Sequence, residues 1–144
     1  MAAPLNYAGR DREDLRRLGP ALYFAAGLSL VAALLHLWVM PEHFEEWWGY
    51  GTFFLVVSVA QAVYVALLLG WPVVSLFVLG IGGNLAIIAL WLTTRTVGIP
   101  FFGPHAWEVE ELGALDLGCT LAELILVITL ALLLRRLRPA GVAV

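Results

Sequence analysis

The sequence predicts an all-α integral membrane protein, an antiparallel up-and-down bundle of four helices with both termini cytoplasmic. Three observations predict it. The chain of 144 residues is 62% hydrophobic and 13% charged with a mean hydropathy of +0.91, whereas soluble domains carry roughly 25% charged residues. Its apolar residues fall into four runs, each about as long as the 20 residues needed to cross a hydrocarbon layer of about 30 Å. Its arginines lie almost wholly on one side of those runs.

The order of elements follows from the breaks between the runs. Residues 1–19 are polar and read as a cytoplasmic tail, in which Asp11-Arg12-Glu13-Asp14-Leu15-Arg16-Arg17-Leu18 forms a short amphipathic helix ended by Gly19-Pro20. The transmembrane domain occupies 20–138. Span one, 21–40, lacks a small-residue cleavage site and is read as a retained span rather than a signal peptide. Pro41 is expected to close it, because proline cannot donate the next helical hydrogen bond. Span two is 49–70, and Gly70-Trp71-Pro72 turns directly into span three, 72–94, with Pro72 in the first helical turn. So short a link makes spans two and three a hairpin. Residues 95–111 form the longest connection, with Gly98, Pro100, Gly103 and Pro104, before span four, 112–134. Arg135, Arg136 and Arg138 stop it, and 139–144 form a C-terminal tail.

Four spans put both termini on one side. Arg10, Arg12, Arg16, Arg17, Arg135, Arg136 and Arg138 flank that side and Arg95 alone the other, a seven-to-one bias that places the termini in the cytoplasm. The use of arginine with no lysine points to a bacterial inner membrane. Trp38, Trp47, Trp48, Trp91 and Trp107 gather near one interface as anchors. The net charge of −3 accompanies an expectation of lipid contact and no nucleic-acid partner. The phosphate loop, dinucleotide fingerprint, CxxC and nucleophile-elbow motifs of soluble enzymes are absent from the sequence. Cys119, inside an apolar stretch, reads as a small packing residue.

Polar groups sort by depth. The outward links carry Glu42, Glu45, Glu46, Glu108, Glu110 and Glu111, with His36, His43 and His105 on or near them. Within the spans lie His36, Asp116 and Glu123, and an ionisable group in hydrocarbon costs roughly 2.5 kcal/mol or more unless it meets a partner or a cavity. Counting about 1.5 Å per residue from the outer helix ends places His36 and Asp116 roughly 6 Å in, as one layer. The same count places Ser29, Gln61, Asn84 and Glu123 together at roughly 16 to 18 Å. Asp116, Thr120 and Glu123, at i, i+4 and i+7, form one polar stripe on span four. Gly80, Gly82 and Gly83 beside Asn84 allow close helix approach.

Imidazole and carboxylate are first-row metal ligands, so the expected site is a transition-metal centre of His36, His43, Glu46 and Asp116. That set suits zinc, iron or manganese; recruiting Met40, four residues after His36, shifts it toward copper. Haem is disfavoured, since only His36 lies inside a span. The paired Glu-x-x-His of di-iron bundles is missing. Arg95 is expected to neutralise Asp116 or Glu111, or to contact an anion, and His105 sits in an aromatic loop suited to a lid. The expected function is uptake, holding or sensing of a metal from the outer side, coupled to protons through Asp116 and Glu123. Two other readings stand beside it: an enzyme or redox protein acting on a lipidic or quinone-like substrate, and a non-catalytic subunit of a membrane complex. A full transport pathway would require a homo-oligomer.

Overall fold

In the computed structural model the backbone is described for residues 7–137 and the side chains for 18–136. Four α-helices make up the structure: α1 Tyr7–Glu46, α2 Trp48–Gly70, α3 Val74–Thr96 and α4 Ala114–Leu137, with no strand among the described residues. All four are long and apolar enough to cross a membrane, the pattern of a multi-pass membrane protein. Residues 1–6 and 138–144, which include Arg138 and the expected C-terminal tail, lie outside the described residues. So do the side chains of Arg10, Arg12, Arg16 and Arg17.

Neither proline of α1 ends the helix, contrary to the sequence expectation. Pro20 and Pro41 both lie within a single helix of 40 residues. Each removes one backbone bond, a loss that membrane helices tolerate where neighbouring groups hold the local turn. Around Pro41 the His43 Nδ1–H donates to the Val39 carbonyl at 2.9 Å, and the Trp47 N–H donates to the His43 carbonyl at 3.0 Å. The helix then stops at Trp47, the single extended residue between α1 and α2.

The buried stripe of α1 runs Leu18, Leu22, Ala25, Ser29, Ala32 and His36, a spacing of alternately four and three residues that keeps one face toward a neighbour. α4 repeats it with Cys119, Glu123, Leu126, Leu130 and Leu133. Ala25, Ser29, Ala32 and Ala33 are small, so α2 approaches α1 closely, as small residues permit in membranes. The approach is fixed by Ser29 Oγ donating to the Gln61 carbonyl at 3.1 Å and Ser58 Oγ to the Ala33 carbonyl at 2.8 Å. Leu22, Ala26, Leu68, Phe77, Leu126 and Leu130 fill a continuous apolar core toward the terminal end.

α1 packs most extensively on α2, and α4 on both α1 and α3, whereas α2 and α3 barely meet. The short link through Trp71, Pro72 and Val73 joins α2 to α3 without making them a packed pair, and Pro72 precedes the helix rather than opening it. Of the three glycines of α3, only Gly80 meets a neighbour: a side chain there would collide with Tyr64 and Leu130, while Gly82 and Gly83 face open space. Tyr64 Oη donates to the Leu76 carbonyl at 3.0 Å, closing the α2–α3 seam at its terminal-side end.

The other end of the seam is covered by the 97–113 segment. Gly98 and Gly103 have φ of 74° and 83°, and Phe101 and Trp107 have φ of 58° and 68°. At Gly98 a Cβ would also strike the Trp107 backbone, so only glycine fits. Phe101 and Trp107 tolerate left-handed backbone, at about 1 kcal/mol or more each, because the segment is tied down. Its ties are Trp107 N–H to Ile99 carbonyl, Glu110 N–H to Thr94 carbonyl (both 3.0 Å) and Tyr50 Oη to Phe102 carbonyl at 3.1 Å. Phe102 also stands edge-on to Trp47 with ring centres 4.9 Å apart. Tyr50→Phe is expected to cost about 1 kcal/mol, the usual net value of one hydrogen bond, and to speed proteolysis within 97–113. A digest no faster than that of the parent protein counts against this role for Tyr50.

Candidate functional site

One polar group from each helix meets at mid-depth. Glu123 of α4, 1% exposed, accepts through Oε1 from Gln61 Nε2 of α2 and faces His36 Nε2 of α1, both at 3.0 Å. Gln61 Nε2 reaches Asn84 Oδ1 of α3 at 3.4 Å, and Asn84 Nδ2 donates to the Gly80 carbonyl at 2.7 Å. Ser29 holds the Gln61 backbone. A carboxyl group buried this deeply is tolerated because its oxygen receives two donors.

Cys119 joins this layer, its Sγ 3.6 Å from His36 Nε2. One turn before Glu123 on the same buried stripe, it points to the same histidine nitrogen. Among the described residues, His36, Cys119 and Glu123 form the one set of three His, Cys, Asp or Glu side chains whose donor atoms lie within 4.8 Å of one another. Tetrahedral zinc with bonds of about 2.3 Å to sulfur and 2.0–2.1 Å to nitrogen separates the two donors by roughly 3.5 Å, close to the observed 3.6 Å. The 3.0 Å between His36 and Glu123 is hydrogen-bond length, and would widen by a few tenths of an ångström around an ion. Because Cys119 and Glu123 both address Nε2, the trio is not a proton relay, which needs a different ring nitrogen for each partner.

His43, Glu46 and Asp116, the other members of the expected quartet, do not gather with His36. They line a cavity of about 590 Å³ near the C-terminal end of α1 and the start of α4, together with Glu42, His105 and Glu111. The reason is Pro41: since α1 continues through it, His43 lies two helical turns beyond His36, about 10 Å along the axis. His43 is occupied by the Val39 carbonyl and by Phe54, whose ring centre is 4.0 Å away.

Asp116 belongs to a separate ionic cluster. Arg95 reaches Asp116 Oδ2 at 2.6 Å, also pairs with Glu110, and donates to Thr94 Oγ1 at 2.7 Å. Asp116 further accepts from the Gly113 N–H at 3.3 Å, which caps the start of α4. The Arg95 guanidinium lies 5.9 Å from the Trp91 ring centre. Glu110, not Glu111, is thus the second acid on Arg95. His105 pairs with Glu108 at 2.9 Å on the surface, where both are more than half exposed and the pair contributes little.

Between the two levels lies a second cavity of about 240 Å³. Asp116 and Arg95 stand among its outer lining, Cys119, Thr120 and Glu123 among its deeper lining, and aromatic and aliphatic side chains of α2 and α3 form the walls. It links the outer ionic cluster to the buried trio.

No protein family, curated protein or solved structure matches the chain. The functional reading therefore rests on the chemistry of the site.

Proposed function

We propose that this protein binds a transition metal ion at His36, Cys119 and Glu123, taken up from the outer face of a bacterial inner membrane and held or sensed there. The observation that carries this reading is the convergence of a thiol, an imidazole and a carboxyl on one buried point. Thiolate with imidazole suits zinc or copper(I) and disfavours manganese. Cys119 and Glu123 line the inner cavity and His36 does not, so a fourth coordination position faces open space, as in metal sites that exchange a ligand. The outer mouth, with Glu42, Glu46, Glu108, Glu111 and His43, supplies the negative potential that concentrates cations before they pass inward.

The topology that goes with this reading is antiparallel. Along α1 the residues Ser29, Ala33 and His36 meet Gln61, Ser58 and Phe54 of α2, the numbers rising on one helix as they fall on the other. The arginine bias supports cytoplasmic termini in this reading, with the 97–113 segment outside. Metal binding displaces the Cys119 thiol proton, so loading releases a proton and weakens as pH falls.

Elemental analysis of the protein purified in detergent tests the site. About one zinc or copper per chain is expected, retained in His43→Ala and lost in Cys119→Ser and His36→Ala. A parent protein without stoichiometric metal, or variants that hold as much as the parent, overturns the proposal.

A further inference from the structure

The inner cavity shares Cys119 and Glu123 with the proposed metal site, but its walls have a character of their own. Phe53 and Phe54 of α2 and Ile87, Leu90 and Trp91 of α3 wall it, and these are the two helices that scarcely touch. Among the described residues, side-chain hydrogen bonds join α2 to α3 or to the segment after it at three levels. Tyr64 closes the terminal-side end, Gln61 and Asn84 meet at mid-depth, and Tyr50 with Phe102 roofs the outer end. The cavity occupies the stretch between the mid-depth bridge and the roof, behind a seam that the apolar length of both helices places against lipid hydrocarbon.

Two buried donors in its lining residues have no acceptor. Trp91 Nε1 and Arg95 Nε are both enclosed and unpaired, and both residues line the cavity, with the guanidinium 5.9 Å from the indole ring centre. Buried N–H groups are normally satisfied. An apolar chamber with a few convergent polar groups is the usual form of a small-molecule site, and these groups ask for an acceptor oxygen.

We propose that this cavity binds a membrane-soluble carbonyl compound, its oxygen accepting from Trp91 and Arg95 and its apolar body lying between α2 and α3, admitted laterally from the bilayer. A quinone ring and a fatty-acyl ester both present that chemistry. The proposal rests on the two donors and the apolar walls rather than on Cys119 and Glu123, which also line the chamber, so it does not depend on the metal reading.

Saturable binding of a radiolabelled short-chain quinone and of a fatty-acyl methyl ester to the full-length protein in nanodiscs tests it. At least one is expected to bind saturably. Leu90→Trp, which fills the chamber, is expected to weaken that binding at least tenfold. Trp91→Phe keeps the ring and removes the donor, and is expected to weaken it three- to tenfold. Binding of the quinone alone or of the ester alone identifies the source of the carbonyl and supports the site. Failure of both to bind saturably, or equal binding by parent and both variants, overturns it. Chelator-treated protein is expected to bind the compound, so failure of the metal assignment leaves this measurement standing.

Discussion

Glu123→Leu is expected to unfold the middle of the bundle and to abolish metal binding together. Its oxygen takes both the Gln61 amide and the His36 imidazole at 3.0 Å, and leucine would leave those groups buried without a partner. Breaking a buried pair from one side costs about 3–5 kcal/mol, which for a domain of this size lowers Tm by roughly 10 °C. Glu123→Gln separates the two effects. The amide oxygen can still accept from both neighbours, so Tm should change by only a few degrees. Metal affinity should nevertheless fall at least about 100-fold, since loss of an outer-shell partner alone costs 10–100-fold. His36→Leu combined with Glu123→Leu should destabilise by less than the sum of the single changes, because each single change strands the other residue. Thermal unfolding in detergent beside metal titration checks these variants, with His36→Leu alone, against the parent. A Glu123→Leu variant as stable as the parent would refute the role of the layer.

Gly80→Ala should produce the second large effect. A Cβ at this position would stand 2.2 Å from Tyr64 Oη and 2.8 Å from a Leu130 methyl, both closer than atoms can approach. Tyr64 would have to swing away, losing its bond to the Leu76 carbonyl. Overpacking costs about 1–3 kcal/mol and the lost hydrogen bond about 1 kcal/mol more, so a loss of about 2–4 kcal/mol is expected. Tyr64→Leu in the same chain should recover most of the steric part. Additive losses in the double variant would show that Tyr64 is not the obstruction.

Several of these features are legible in the sequence, because bilayer thickness and helix rise are fixed quantities. Hydropathy and run length give the four spans, and counting inward from the helix ends brings Ser29, Gln61, Asn84 and Glu123 to one depth, where hydrogen bonds join them in the structure. Pro41 misleads because its missing bond is a local property, whereas the continuity of α1 depends on the surrounding turn, including an imidazole two residues away. Moving His43 a further two turns along one helix, rather than around a corner, separates it from His36. Cys119 is passed over because a lone thiol in an apolar run has the composition of a packing residue. Its signal was positional, one turn before Glu123 on the stripe that continues through Leu126, Leu130 and Leu133. The weak contact of α2 with α3 leaves no mark on hydropathy, which registers the lipid-facing length of a helix but not which neighbour it touches.

The reach of the mid-depth bonds along the chain has a consequence for assembly. Translation delivers the N-terminal segments first, and Ser29 and Ser58 can dock α1 on α2 as soon as that pair is inserted. His36 and Gln61 then wait in the bilayer for a carboxylate that lies 87 and 62 residues away in the chain. Until α4 arrives, the α1–α2 pair carries polar groups without their carboxylate, and the fourth helix to insert supplies it.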